Sequence, residues 1–218
     1  MDYKLRDHLY TFLTKNRQEL FKKVLAERTR HFTVATEDVF QMHNTSAVMR
    51  TCDVFGIQDL NVVEEQLGKR VDSEIAMGAQ KWVDFNRFSS VKTCMADLKD
   101  KGYRIIATTP HKDATYLDDF DVTQKAAFFF GKERDGLSDY VLDNADGFLK
   151  IPMYGFTESL NISVSAAIIL QSSVTRLKTT NIDWRLSEEE KFGIEMNWLQ
   201  KTIKSSSDII TRFRLQNQ

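Results

Sequence analysis

The chain has 218 residues, of which 42% are hydrophobic, and a net charge of −1. That length and apolar content suit one globular domain with a real core plus short appendages. The longest apolar runs fall well short of the roughly 20 residues that cross a bilayer, and the first residues are charged, so we expect no membrane span, no signal peptide and a cytoplasmic location.

The first elements form a strand–helix–strand unit behind a helical extension. Residues 3–29 carry apolar side chains at three- and four-residue spacing without glycine or proline, which predicts an amphipathic helix. A short strand over residues 33–36 follows, then a helix over residues 44–55 that Asn44 would cap, then a strand over residues 60–63.

Strands and helices continue to alternate up to about residue 177. The predicted elements are a helix over residues 90–101, strands over 103–108 and 126–130, a helix after Gly136, a strand near 148–151, and a helix over 161–177. Continuous apolar strands between helices indicate an α/β fold with a parallel sheet covered on both faces. Ligands of such sheets bind beyond the carboxyl ends of the strands.

The C-terminal part carries its own helix signal. Ser187 and Glu190 stand at the spacing of a capping box, which predicts a helix that continues toward Phe213. The chain is therefore divided into an N-terminal helical extension, a central α/β domain, and a C-terminal linker with a helical extension. The bounds of these three parts are residues 1–31, 32–177 and 178–218.

The small net charge hides an uneven distribution. Residues 1–31 carry a charge of +4 and residues 171–218 a charge of +2, whereas residues 32–170 carry −7. Basic appendages on an acidic body suit contacts with the phosphates of a nucleic acid. A solvated helix face would give the same pattern, so charge alone leaves both interpretations open.

Several common kinds of site find no support. The four histidines are scattered, and Cys52 and Cys94 have no metal-ligand spacing, so we expect no metal site and two buried, inert cysteines. Gly131 and Gly136 stand at the spacing of a phosphate loop, but Leu137-Ser138 follows where Lys-Ser or Lys-Thr is required. No G-x-G-x-x-G follows a predicted strand either, which disfavours a dinucleotide site.

Three separated segments carry the most distinctive strings. They are residues 44–56 (N-T-S-A-V-M-R-T-C-D-V-F-G), 131–138 (G-K-E-R-D-G-L-S) and 151–167 (I-P-M-Y-G-F-T-E-S-L-N-I-S-V-S-A-A). In order, spacing and identity they resemble the three motifs of the SpoU branch of the SPOUT methyltransferases, and especially its TrmH-type tRNA (guanosine 2'-O) methyltransferases. The resemblance covers about residues 24–177.

The resemblance implies a fold, a cofactor and an assembly. The C-terminal part of the α/β domain would be threaded into a trefoil knot, a rare exception to un-knotted topology. The protein would be an obligate homodimer that holds S-adenosylmethionine in the knot. The residues that would line this pocket are Thr108, Gly131, Ile151, Met153, Ser159 and Leu160.

The resemblance also implies a reaction, methyl transfer to a ribose 2'-hydroxyl of RNA. Arg50 would be the catalytic arginine, either as a base or as a clamp on a phosphate and on the developing charge of the 2'-oxygen. Asn44 and Glu133 would orient Arg50 or the ribose, while Asn161 would hold the knot loop or the substrate. Ser159 would also belong to this catalytic set. Taken singly, Asn44 and Asn161 could each merely cap a helix.

The substrate implied by the resemblance is tRNA, methylated at guanosine 18 of the D-loop, because helical extensions are present at both ends. The arginines that would grip the tRNA are Arg17, Arg28, Arg30 and Arg176. The alternatives are a ribosomal RNA 2'-O-methyltransferase of the same family and a non-catalytic RNA-binding protein. A small-molecule α/β enzyme lacks any other recognisable nucleophile or metal constellation.

Overall fold

The computed structural model describes residues 1–39, 42–65, 78–110, 113–132 and 135–217. Within them the helices are α1 (Tyr3–Tyr10), α2 (Lys15–Ala26), α3 (Met42–Val54), α4 (Val91–Asp100), α5 (Asp139–Asn144), α6 (Ile162–Leu177), α7 (Glu188–Thr202) and α8 (Ser206–Gln216). The strands are β1 (Phe32–Glu37), β2 (Asp59–Val63), β3 (Asp84–Phe88), β4 (Arg104–Thr108), β5 (Thr115–Tyr116), β6 (Ala126–Phe130) and β7 (Gly147–Lys150).

The chain forms two compact units. The sheet unit is Thr29–Trp184, and the helical unit combines Met1–Arg28 with Arg185–Gln218. The two terminal segments, predicted as separate extensions, thus contribute α1, α2, α7 and α8 to one unit.

Within the described residues of the sheet unit, seven strands form one sheet in the order β3-β2-β1-β6-β4-β7-β5. Every neighbouring pair is parallel. The predicted parallel α/β fold is confirmed. Strands β3 and β5 were not predicted from the sequence.

Helices cover both faces of this sheet. Because successive side chains of a strand point to opposite faces, Val34 and Phe128 join one apolar cluster while their neighbours Ala35 and Phe129 join another. Residues of α3 and α6 complete the first cluster, and residues of α4 and α5 complete the second. Continuous apolar strands are what such two-sided burial requires.

Both cysteines lie in these helical layers. Cys52 of α3 and Cys94 of α4 are free and buried, as predicted. Burial raises the pKa of the Cys94 thiol to about 12. The thiolate, which is the reactive form of cysteine, is therefore strongly disfavoured at this position.

The terminal helices are shorter than predicted. The single helix expected over residues 3–29 is two helices, because Thr14 begins α2 with its hydroxyl oxygen accepting from the backbone N–H of Arg17 at 3.3 Å. The helix predicted from Ser187 toward Phe213 is also two helices, since Ser205 before α8 has a left-handed φ of 55°. The capping box at Ser187 and Glu190 is confirmed.

A buried carboxylate ties α1 to α7 in the helical unit. Glu195 of α7 is buried, accepts a hydrogen bond from the Tyr10 hydroxyl and lies 3.6 Å from the Arg6 guanidinium. Burial, together with the hydrogen bond to Glu195, raises the pKa of Tyr10 well above its ordinary value. The neutral phenol thus stays the donor at physiological pH.

Tyr10→Phe should lower the free energy of unfolding by about 1.5–3 kcal/mol, the usual value of a hydrogen bond to a charged group. Tyr3→Phe is the matched control, because the Tyr3 hydroxyl is exposed and contacts only the Met1 sulfur among the hydrogen bonds of the described residues. Chemical denaturation of both variants makes the comparison. Equal losses in the two variants would contradict the assignment.

Candidate functional site

The predicted cofactor residues meet at one edge of the sheet. Gly131, Thr108 and Ile151 directly follow or end β6, β4 and β7, which are consecutive in the sheet. Thr108 lies opposite Leu149 in the register of β4 and β7, and its hydroxyl donates to the Phe129 carbonyl at 2.7 Å. Carboxyl ends of parallel strands are where α/β sheets bind ligands.

Gly131 begins a tight loop. Lys132 and Gly136 exchange two backbone hydrogen bonds of 2.9 and 3.0 Å, and Gly136 has a left-handed φ of 70°. A Cβ on Gly131 would lie closer than 3.0 Å to backbone atoms of Gly136 and Leu137, so only glycine fits without a shift of the loop. Glu133, predicted as a catalytic residue, lies outside the described residues.

Residues 151–161 of the third segment lead from β7 to α6 without regular structure. Its first residues Ile151 and Met153 are half-buried, whereas Ser159 and Leu160 are exposed. Ile151 and Met153 thus place apolar side chains just after β7, and Ser159 adds an exposed hydroxyl before α6. Apolar side chains with a few polar groups are typical of ligand sites.

Asn44 and Asn161 join the first and third segments. The Asn161 amide Nδ2 donates to Asn44 Oδ1 at 3.2 Å, and Asn161 Oδ1 accepts from the Ser163 backbone N–H at 2.8 Å. Because Oδ1 of Asn161 accepts from Ser163, the NH2 group of the same side chain is available to donate to Asn44. Asn161 therefore caps α6 and also links two segments that lie 117 residues apart.

The structure corrects one part of this prediction. Asn44 was expected to cap its helix, but α3 begins at Met42, so Asn44 lies inside the first turn. Its side chain is 2% exposed. Asn44 thus directs a buried amide toward α6, against which α3 packs.

Arg50 lies on the same helix with its side chain exposed. Six residues separate it from Asn44, which corresponds to about 9 Å along a helix axis. A guanidinium is always charged and offers five donors. The exposed Arg50 can therefore bind an anionic ligand, whereas the buried Asn44 can contact only neighbouring residues of the fold.

Two of the four predicted RNA-binding arginines lie in the helical unit. Arg28 is 1% exposed, and its guanidinium stacks 5.3 Å from the centre of the Trp198 ring. Arg28 therefore packs inside this unit, and its guanidinium is too buried to bind a phosphate. Arg17 is exposed on α2 and remains a predicted RNA contact.

The other two predicted arginines lie in the sheet unit. Arg30 makes ion pairs with Asp59 at 2.7 Å and Asp84 at 2.8 Å, and burial raises the pKa of Asp59 although Arg30 opposes the rise. Arg176 donates to two backbone carbonyls around the turn Leu117–Asp119. Both guanidinium groups therefore stabilise the fold. The number of basic residues near the chain ends does not reveal this structural role.

Glu37 was missed by the sequence analysis. It is the last residue of β1, is 4% exposed, and its Oε2 accepts from the Ser138 backbone N–H at 2.9 Å. The sequence feature that could have indicated Glu37 is a carboxylate at the end of a strand separated from the first segment by six residues. The contact brings β1 to the far end of the second segment.

Within the described ranges, no group of three or more His, Cys, Asp or Glu side chains is placed to hold a metal ion. The helices of the same ranges include none with the length and apolar character needed to cross a bilayer.

Known proteins resemble the chain in sequence. The model of a family described as the SpoU rRNA Methylase family matches residues 31–171. The tRNA (guanosine(18)-2'-O)-methyltransferase of Borreliella burgdorferi is 36% identical over 197 residues, which are 90% of this chain and 90% of that protein. The enzyme of the same name from Thermus thermophilus is 36% identical over 190 residues, which are 86% of this chain and 98% of that protein.

Solved structures resemble it in fold. The A. aeolicus TrmH/SpoU tRNA modifying enzyme superposes with a TM-score of 0.77 at 30% identity, over 87% of this chain and 98% of that one. The SpoU methyltransferase AviRb from Streptomyces viridochromogenes, solved in complex with AdoMet, gives a TM-score of 0.62 at 23% identity, over 73% of this chain and 62% of that one. This second likeness concerns the fold alone.

Proposed function

Because the chain belongs to the SpoU rRNA Methylase family, we propose that it is an enzyme that methylates the ribose 2'-hydroxyl of guanosine 18 in tRNA, with S-adenosylmethionine as methyl donor. One observation carries the proposal. The hydrogen bond between Asn44 and Asn161 joins the first and third segments, and the second segment begins directly after β6. This bond supports a site to which all three segments contribute.

The residues at the sheet edge fit the proposed donor. Thr108, Gly131, Ile151 and Met153 would hold its apolar and aromatic parts, and Ser159 and Leu160 would approach it from the exposed segment. The tight loop after Gly131 keeps backbone groups at the strand end, where a flat ring can be recognised by hydrogen bonds. When bound, S-adenosylmethionine supplies an electrophilic methyl group.

The chain's own residues then position the acceptor. We assign Arg50 to the RNA phosphate and to the charge that develops on the 2'-oxygen, because a permanently protonated guanidinium is a better clamp than a base. The hydrogen bond between Asn44 and Asn161 fixes the position of α3 relative to the start of α6. Arg50 on α3 is thereby held in a defined position for the ribose that accepts the methyl group. Glu133 and Ser159 are proposed to orient the ribose.

The choice of tRNA is supported by the two relatives named for guanosine 18 that cover 86% and 90% of this chain. The charge distribution agrees, since the helical unit carries +4 and the sheet unit −5. The other candidate is ribosomal RNA, which the family description names. Incubation with labelled S-adenosylmethionine and either unmodified tRNA or ribosomal RNA fragments separates the two. Label on ribosomal RNA alone would reject the tRNA assignment.

We include the trefoil knot and the homodimer in this proposal. In support of the knot, β6 lies between β1 and β4 although it follows both in the chain. In support of the dimer, α6 and the residue before its cap carry an exposed apolar row at four-residue spacing, formed by Leu160, Val164 and Ile168. A second copy of the chain would cover this row, because such rows are rare on the free surface of a monomer.

Ile168→Glu should convert the dimer into a 25.3 kDa monomer, because a carboxylate buried in an apolar interface has no partner to offset its desolvation. Sedimentation velocity at micromolar concentration measures the change. Leu215→Glu on α8 is the matched control, since it places the same charge at another exposed apolar position. A wild-type chain that sediments as a monomer would reject the dimer.

A further inference from the structure

Glu37 is a buried carboxylate that none of the catalytic roles assigned to the site uses. It ends the central strand β1 and is 4% exposed. A carboxylate with so little contact with water is costly unless it accepts hydrogen bonds. Its Oε2 accepts one from the Ser138 backbone N–H at 2.9 Å.

The sheet register places Glu37 beside the loop that begins at Gly131. Thr36 of β1 pairs with Phe130 of β6, so Glu37 and Gly131 are the next residues along two neighbouring strands. The Glu37 side chain spans from this point to Ser138, at the other end of the loop. One carboxylate therefore lies beside the first residue of the loop and bonds to its last.

The loop also makes contacts within itself and with the core. Lys132 and Gly136 bond to each other through their backbones, which closes the loop on itself. Leu137 is buried in the apolar cluster of α4 and α5. Ser138 caps α5 through its hydroxyl, which accepts from the Val141 N–H at 3.4 Å.

We propose that Glu37 is a positioning residue that holds Ser138, the last residue of the loop that begins at Gly131, in place relative to the end of β6 and thereby sets the affinity for S-adenosylmethionine. The inference depends on the proposed function for the identity of the ligand. A backbone N–H bonded to a carboxylate is held more strongly than one bonded to a neutral acceptor. Loss of the carboxylate leaves the Ser138 N–H without this acceptor, so this end of the loop is held less firmly and the backbone surface at the strand end is less well defined.

Three variants test the proposal. Glu37→Ala removes the acceptor, Glu37→Gln keeps an oxygen for the Ser138 N–H, and Thr33→Val is the matched control. Thr33 lies at the other end of β1, where its buried hydroxyl donates to the Asp59 carbonyl at 2.8 Å. Its replacement also removes buried hydrogen bonds far from the loop, the one to the Asp59 carbonyl and the one that the Thr33 oxygen accepts from Asn61 Nδ2 at 2.9 Å.

Two readouts are needed, hydrogen exchange of the peptide that contains residues 131–138 and calorimetric binding of S-adenosylmethionine. Glu37→Ala should speed exchange of that peptide by about tenfold and raise the Kd by about tenfold, while kcat at saturating cofactor changes less than the KM for the cofactor. Glu37→Gln should restore both values to within about threefold. Thr33→Val should change neither.

Unchanged exchange and unchanged Kd in Glu37→Ala would overturn the proposal, and so would an equal rise of the Kd in Thr33→Val. Faster exchange in a protein whose wild type binds no S-adenosylmethionine would overturn the cofactor part of the inference together with the proposed function. The effect on the loop would then stand by itself.

Discussion

Replacing Arg50 by alanine should lower the rate of methyl transfer to tRNA by a factor of about 10²–10³, the usual effect of removing one preorganised group that stabilises a developing charge. The affinity for S-adenosylmethionine and the unfolding temperature should not change, because the Arg50 side chain is exposed on α3 and contributes little to the core. Single-turnover kinetics with saturating tRNA measure the chemical step separately from binding.

Two further variants make this result specific. Arg50→Lys keeps a positive charge but loses the planar pair of donors, so its rate should lie between those of the wild type and the alanine variant. Arg87→Ala removes another exposed arginine of the sheet unit, on the edge strand β3, and should leave the rate unchanged. If Arg50→Ala slowed only because tRNA bound more weakly, Arg50 would be an anchor and not a catalytic residue.

Replacing Gly131 by alanine should abolish measurable binding of S-adenosylmethionine and lower the free energy of unfolding by about 1–3 kcal/mol, the usual cost of overpacking. The new Cβ would lie closer than 3.0 Å to backbone atoms of Gly136 and Leu137, and backbone cannot move aside as a flexible side chain can. The loop must shift, and the strand end that holds the ligand shifts with it. Calorimetry and chemical denaturation measure the two effects.

Gly193→Ala is the matched control for this substitution. Gly193 lies in α7, and nothing stands within 4 Å of the position that its Cβ would take. Alanine is favoured over glycine inside a helix by about 1 kcal/mol, so this variant should be slightly more stable and bind the cofactor normally. Normal binding by Gly131→Ala would show that the loop is not part of the cofactor site.

The sheet was predictable because burial on both faces gives strands such as β6 a continuous apolar sequence. Strand β3 escaped prediction because it is an edge strand with polar side chains, Asp84–Phe88, and no run of apolar residues marks it. The order of the strands in the sheet also could not be predicted from the sequence. Nothing in the pattern of β6 indicates that it pairs with both β1 and β4.

The candidate site shows the same limit at the level of side chains. Motif resemblance brought Asn44 and Asn161 together, and the hydrogen bond between them agrees with it. Charge near the chain ends, in contrast, could not distinguish Arg17, which is exposed, from Arg28, which is buried against Trp198. A basic residue becomes a structural one when tertiary packing covers it, and a linear sequence does not record that packing.

The most direct test of the proposed activity is nucleoside mass spectrometry of an unmodified tRNA transcript after incubation with the protein and S-adenosylmethionine, with the modified position mapped by nuclease fragments. The proposed function predicts one 2'-O-methylguanosine at position 18 of the wild-type reaction and none with Arg50→Ala. A methylated base, a methylated ribose elsewhere in the transcript, or an unmethylated tRNA would contradict it.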